Sequence, residues 1–292
     1  MKIYDCTTFH SEHMMMDVRF NALNEHIHKF IVVESLFSHS GEKKKLNFDI
    51  NNYPKFKDKI IYLVIDREPD DLINPLNEKI QYKRINSIKR IELSYDFMMS
   101  EIKKLSDNDL IILSDNDEIP NLDSTQFKDS NSDIYIFKQL FFYYKFNLLY
   151  DRMYWFGSKA CTKKKLKSLS WLRNLKNKKY PFWRVDTFFS KKKSSSLKII
   201  NDGGWHFTNV MSAENLYTKM TNFGHHDEFE LSKLSVEDLK IKINQGLVFY
   251  DHFAGQEDKN KWEFNYKLKK ISDNLLPDSL IKDKIKLKEW FN

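Results

Sequence analysis

Short apolar runs recurring between segments of helical spacing constrain this 292-residue chain more than any other feature. Phe30–Val33, Ile60–Ile65 and Leu110–Leu113 are aliphatic or β-branched strings, each followed directly by Glu34, Asp66 or Ser114. Met1–Tyr4 is a further short strand candidate. Between them, Met14–Leu23 carries Met15, Val18 and Leu23 at helical spacing, and Lys79–Lys104 sets Ile80, Ile88, Ile91, Tyr95, Met98 and Ile102 on one side. Strands separated by amphipathic helices imply βαβ units, an α/β fold with a mostly parallel twisted sheet. Seven Gly and six Pro leave little material for linkers. The expectation is one domain over residues 1–255, with residues 256–292 as a helical extension packed on it.

The second half changes character. Asp133–Tyr144 and Leu148–Phe156 are aromatic-rich strand candidates that could pair as a hairpin. Ser212–Asn222 reads as a helix with Ser212 as its N-cap. From about Glu257 the chain is charged and helical in pattern, with Trp262, Phe264 and Leu268 as docking residues.

With 41% hydrophobic and 15% aromatic residues, the chain can bury a sizeable core, which excludes a disordered or fibrous protein. The excess of 48 Lys+Arg over 41 Asp+Glu favours anionic partners. Lysines crowd into Lys163–Lys165, Lys176–Lys179 and Lys191–Lys193. These runs hold little Arg and no reader motif, so nucleotide phosphates, acidic glycans or peripheral contact with an anionic membrane surface fit better than nucleic acid. Two cysteines, Cys6 and Cys161, make neither a disulfide framework nor a cysteine zinc site. The N-terminus lacks a secretory apolar region, and no run approaches the roughly 20 residues of a membrane span. A cytoplasmic protein is expected.

The densest chemistry is Ser114-Asp115-Asn116-Asp117-Glu118, three carboxylates delivered by an apolar strand. Ligands of open α/β sheets bind beyond the carboxyl ends of strands. Clustered carboxylates there need a neutralising cation, and magnesium or manganese shared with substrate phosphates meets that need. The plainer alternative is a solvated acidic turn. Asp5, Glu34 and Asp66 also end strands, where a base or ribose contact by Asp5 or Glu34 is expected. Arg84 and Arg90 on the long helix could pair with the acidic turn or a phosphate. Gly203 and Gly204 could let backbone approach a phosphate or sugar, as could Gly157 beside Trp155. Among nine histidines, His206 and His225 are candidates to complete a metal shell, since imidazole suits manganese. Glu214, at a helix start, and Asp202, before the Gly pair, are rival candidates for a catalytic base.

Several blocks resemble glycosyltransferase family 17. IILSDNDEIP is similar to that family's DVDEIP signature. The opening also matches it, with Tyr4-Asp5-Cys6, Glu12, Arg19, Asn21-Ala22-Leu23, Phe30–Glu34 and His39-Ser40-Gly41. Gly203-Gly204-Trp205-His206-Phe207 follows, then Glu214 to His225 with Lys219 and Phe223 in place. Ser11 stands where Asn is usual, and Met211-Ser212 replaces a Gly pair. The resemblance implies a GT-A-type nucleotide-binding domain, with a metal held by Asp115 and Asp117 and inverting transfer of a sugar, N-acetylglucosamine, from a UDP-sugar. Asp115, Gly203, Gly204 and Trp205 would then face the donor. The acceptor would be a glycan or a lipid-linked saccharide. A metal-dependent nucleotidyltransferase or phosphodiesterase, or a non-catalytic glycan-binding protein on the same fold, are the competing functions.

Overall fold

The computed structural model describes residues 1–74, 82–178, 193, 194, 196–222, 229, 230, 232–255 and 259–292. Its centre is a seven-stranded sheet. Strands β1 (Ile3–Phe9), β2 (Lys29–Ser35), β3 (Ile60–Ile65) and β4 (Leu110–Leu113) lie in the order β3-β2-β1-β4, all parallel. Helix α1 (His13–Leu23) joins β1 to β2, and α2, described over Tyr82–Ile102, precedes β4. These runs are continuously apolar because both faces of the sheet are covered. Phe30, Val32, Leu110 and Ile112 pack with Met16, Phe20 and Leu23 of α1. Ile31, Val33, Ile111 and Leu113 pack on the other face with Tyr95, Met98 and Ile102 of α2.

Beyond β4 the pattern departs from simple alternation. The expected strand Asp133–Tyr144 is two strands in two sheets. After β5 (Glu118–Pro120) and the short helix α3 (Thr125–Lys128), β6 (Ile134–Phe137) joins the central sheet, whereas β7 (Leu140–Tyr143) starts a second one. The crossing falls at Lys138 and Gln139. The Lys138 amide donates to Ile200, and Gln139 exchanges backbone bonds with Trp155. The expected strand Leu148–Phe156 shrinks to β8 (Leu148–Leu149), which does pair with β7 as a hairpin. Strand β9 (Lys159–Thr162) then inserts antiparallel between β4 and β6, followed by α4 (Leu169–Arg173).

Strand β10 (Leu197–Ile200) closes the central sheet beside β6. Strand β11 (Gly204–Thr208) enters the second sheet between β7 and β5. Helix α5 (Ala213–Asn222) starts as expected, with the Ser212 hydroxyl accepting from the Asn215 amide at 3.3 Å. It packs on α6 (Val236–Gln245), which is opened by a Ser235/Asp238 capping box and closed by Gly246 in the left-handed region.

The C-terminal extension is less helical than its sequence suggests. Its described part holds β13 (Tyr266–Lys267), paired with β12 (Leu247–Val248), and β14 (Lys269–Lys270), paired with β8. One short helix, α7 (Asp278–Lys282), follows. The physical reason is legible afterwards: Trp262, Phe264, Tyr266 and Leu268 alternate at a period of two, which suits extended chain. Leu276, Leu280 and Leu287 are buried against the core, and the Trp205 indole donates to the Leu275 carbonyl at 2.6 Å. Both cysteines are buried free thiols. No helix among the described residues is long and apolar enough to cross a membrane.

Candidate active site

The chain order across the central sheet reverses at β1, with β2 on one side and β4 on the other. Loops leaving two such strands diverge and open a crevice, the place where ligands of open α/β sheets bind. The loop after β1 supplies His10, Ser11 and Glu12, and the loop after β4 supplies Asp115, Asn116 and Asp117. They meet directly, with the Asn116 side-chain amide donating to Glu12 Oε2 at 3.1 Å.

A buried arginine fixes the acidic turn from below. Arg19, on α1, donates through Nε and Nη2 to both oxygens of Asp5, at 2.8 and 2.5 Å. Its Nη1 donates to the carbonyls of Asp115 at 3.1 Å and Glu118 at 2.6 Å. Asp5 is therefore spent on Arg19 inside β1, where sequence position suggested a nucleotide contact. Glu34 is likewise buried. It accepts from Lys44, from the Asn47 and Phe48 amides and from the Tyr62 hydroxyl, and so anchors residues 44–48. Neither carboxylate is left facing the crevice.

Above this base the carboxylates are neutralised unequally. Glu118, fully buried, accepts from Trp155 Nε1 at 2.6 Å, from the Asp115 amide at 2.9 Å and from Arg173 at 3.0 Å. Arg173 also bonds Asp115 Oδ2 at 2.6 Å and the Gly157 carbonyl at 3.1 Å. A Cβ on Gly157 would collide with the Glu118 carboxylate, so that glycine makes room for a side chain of this protein. Asp117 lies between His206 Nε2 at 3.5 Å and Lys219 Nζ at 3.6 Å. Burial opposes its ionisation, but His206 and Lys219 outweigh it and hold the carboxyl below the usual range. Partial burial pushes the Asp115 carboxyl up; Arg173 opposes this, and Glu118 and Asp117 add to it. Burial also works against the charge of Lys219, yet Asp117, Glu12 and Asp115 raise its pKa.

The donor set suits a divalent cation. Among the described residues, the carboxylates of Glu12, Asp115, Asp117 and Glu118 outnumber the Arg173 and Lys219 cations beside them. Asp117 Oδ1 and His206 Nε2, 3.5 Å apart, would be the two groups to hold such an ion. His206 is held rigid between Phe141 and Trp155, with ring centroids at 4.8 and 4.6 Å. Asp115 keeps its side chain 47% exposed on the same turn. Among the described residues no three His, Cys, Asp or Glu side chains form a complete metal cage. Substrate phosphates and water would therefore complete the shell, as is usual for such ions. His225 lies outside the described residues.

The other expected residues are distributed unevenly. Arg84 is half-buried on α2 and adds positive charge beside His39, whose pKa burial and neighbouring charges push down to about 4. Arg90 is committed to Glu68, at 2.8 and 2.9 Å, and to the His39 carbonyl. Gly203 and Gly204 face no open space, because a Cβ on either would strike backbone of residues 119–121 or 137–138. Gly204 also takes a φ of +106°, which favours glycine. Trp205 is turned toward the C-terminal segment. Asp202 is exposed, accepts from Asn121 at 2.9 Å, and lies roughly 10 Å or more back along β11 from His206. Glu214 is exposed on α5, about 140° around the helix from Lys219. It lines an open groove of about 260 Å³ with Lys145, Ser212, Lys240 and Trp290.

Sequence reasoning marked Arg19 and Lys219 only as positions that match the family, and gave no role to Arg173 or Lys159. Lys159 is buried in β9 and donates to the carbonyls of Arg173 and Leu175, both at 2.7 Å, holding the end of α4 so that Arg173 reaches the acidic turn. Burial, with Arg173 adding to it, pushes this ammonium down to about 8. The unfolded chain keeps its lysine charged to about pH 10.4, so between pH 8 and 10 it binds more protons than the folded chain. Stability carried by Lys159 is therefore absent below pH 8 and gained as pH rises. Relative to Lys159→Met, the wild type should gain on the order of 2–3 kcal/mol between pH 8 and pH 10, read by urea unfolding. A constant difference across that window would show the amine already neutral or fully solvated.

Fold and crevice together describe an α/β domain with an acidic turn at the switch point of its sheet. The chain belongs to glycosyltransferase family 17, whose profile it matches over residues 1–273. No curated protein matches it in sequence. Among solved structures it is similar to the inositol-1-phosphate CTP transferase from T. maritima, at 14% identity and TM-score 0.30, covering 56% of this chain and 71% of that one. It is also similar to HddC from Yersinia pseudotuberculosis complexed with GMP-PN, at 10% identity and TM-score 0.32, covering 69% and 91%. The glycosyltransferase GlyE in Streptococcus pneumoniae TIGR4 is a third, at 10% identity and TM-score 0.32, covering 100% of this chain and 65% of that one. Likenesses this faint leave the assignment to the family match.

Proposed function

We propose that this glycosyltransferase is metal-dependent and inverting, moving N-acetylglucosamine from a UDP-sugar to a hydroxyl of a glycan or lipid-linked saccharide. The observation that supports this reading is the acidic turn at the β1/β4 switch point, where carboxylates outnumber cations among the described residues. Asp117 and His206 would hold manganese or magnesium, with Asp115 beside them. The bound ion would neutralise charge on the diphosphate. The acceptor oxygen forms a bond to the anomeric carbon as the bond from that carbon to the phosphate oxygen breaks. The electron pair leaves with the nucleoside diphosphate, and the acceptor's proton passes to a base.

Two exposed carboxylates, Glu214 and Asp202, are the candidates for that base. Glu214 borders a groove open to solvent but lies about 140° around α5 from Lys219, and Asp202 is tied to Asn121. The Glu214 backbone amide and the Ser212 hydroxyl hold its carboxyl below the ordinary range, so it is ionised at neutral pH. Incubation with manganese and a panel of nucleotide sugars, scored for released UDP and pyrophosphate, tests the reaction class. UDP release that grows with added saccharide acceptor is expected; pyrophosphate release would make the chain a nucleotidyltransferase. Glu214→Gln should slow transfer about 10²–10⁴-fold with UDP affinity unchanged. Full activity in Glu214→Gln alongside a silent Asp202→Asn would exchange the two roles.

A further inference from the structure

We propose that Glu118, although part of the acidic turn, is a positioning residue and not a cation ligand: it locks the Trp155 indole against His206 and Arg173 against Asp115. The turn and His206 then stand in register before an ion arrives. This rests on the reading that Asp117 and His206 hold a cation, and it gives the third carboxylate of the turn a different task.

That carboxylate has no acceptor site to spare. An ionised carboxylate offers about four lone-pair positions. Oε1 accepts from Trp155 Nε1 at 2.6 Å and from Arg173 Nη1 at 3.3 Å. Oε2 accepts from the Asp115 amide at 2.9 Å and from Arg173 Nη1 at 3.0 Å. Space is as restricted as bonding, because the side chain is fully buried and a Cβ at position 157 would land on it. A metal shell could include Glu118 only after one of these donors had left.

Its place in the sheet shows what the bonds accomplish. Glu118 on β5 pairs in register with His206 on β11, so their side chains leave one face about 5 Å apart. Glu118 nevertheless acts on His206 through Trp155. The Trp155 backbone exchanges two hydrogen bonds with Gln139, and its indole N–H is tied to Glu118. Between these anchors the indole lies over His206, with centroids 4.6 Å apart and planes 30° from parallel. On the other side, Arg173 turns Nη2 to Asp115 Oδ2 at 2.6 Å. Metal-ligating imidazoles depend on outer groups that fix the ring, and losing one costs about 10–100-fold in metal affinity.

Isothermal titration of manganese without donor tests the inference in wild type, Glu118→Gln, Trp155→Phe and the double variant. Trp155→Phe keeps a ring beside His206 but has no N–H for Glu118. Each single variant should bind manganese about 10–100-fold more weakly. The double variant should be no weaker than the worse single one, because both changes break one chain of contacts. Gly157→Ala, which displaces the carboxylate while keeping its charge, should match them. The Trp155 indole N–H resonance, identified by its loss in Trp155→Phe, should shift in Glu118→Gln and in Gly157→Ala. Abolished binding in Glu118→Gln beside wild-type affinity in Trp155→Phe would make Glu118 a ligand and overturn the inference. Wild-type affinity in every variant, or losses that simply add, overturns it as well. Should Glu118→Gln lose its cooperative melt, Trp155→Phe and Gly157→Ala remove no charge and carry the same expectation. A wild type without any manganese response sinks the cation reading first, and this inference with it.

Discussion

Arg19→Met is expected to cost about 3–5 kcal/mol, the usual consequence of stranding a buried charge by removing its partner. Asp5 and Arg19 are both fully buried, so the methionine variant leaves a carboxylate inside the sheet with no counter-ion. The same change frees the carbonyls of Asp115 and Glu118 from their shared donor, Arg19 Nη1. Two consequences can therefore be separated. Melting should fall by roughly 10 °C for a domain of this size. Below that melting point the folded variant should still bind UDP more weakly, because the acidic turn has lost its anchor. Asp5→Asn in the Arg19→Met background should restore much of the stability, since no charge then stays buried, but not the UDP affinity. Arg19→Lys cannot substitute, because an ammonium lacks the fork that spans Asp5 and two carbonyls at once. If Arg19→Met melts with the wild type, the Asp5 carboxylate must be reaching water, and the buried pair is not a support of the turn.

What could be read from the sequence divides along physical lines. Ile60–Ile65 and Leu110–Leu113 appear as strands with the expected bounds, since a continuous β-branched run between polar ends has few other uses. The helix after Ser212 begins where its cap places it. The acidic turn falls at a strand's carboxyl end because that strand is buried on both faces. Strand length was harder to judge. β1 runs to Phe9 rather than Tyr4, which moves Asp5 from a strand end into the sheet and turns an expected ligand contact into half of an ion pair. The second sheet was hidden for a similar reason: nothing local at Lys138 and Gln139 signals that Asp133–Tyr144 leaves one sheet for another. Arg173 was beyond local reading altogether, and Lys219 was marked only by its place in the family-like block. Each meets a carboxylate far away in sequence, Arg173 pairing with Asp115 across 58 residues. The charge of the acidic turn was legible; which side chains answer most of it was not.

Asp117→Asn should lower sugar transfer on the order of 10³-fold, the scale of losing one electrostatic group aimed at developing charge. The amide keeps the shape of the side chain and leaves the turn's backbone bond in place, the Phe207 amide donating to the Asp117 carbonyl at 2.8 Å. It removes the charge that faces both His206 and Lys219. Asp117→Ala is the poorer probe, because Asp117 is buried and its loss opens a gap beside Lys219 as well as removing the charge. Wild type should show a saturable rise in melting temperature with manganese, since an ion that binds only the folded state stabilises it by mass action. In Asp117→Asn that rise should disappear while melting without metal moves little, Lys219 then leaning on Glu12 and Asp115. Asp115→Asn makes the contrast. Its carboxylate is bound to Arg173 and half exposed, so its loss should weaken the manganese response without abolishing it. If Asp117→Asn keeps both the manganese shift and transfer within threefold of wild type, the cation is not held at this turn. Asp117 would then serve only to seat Lys219 and His206.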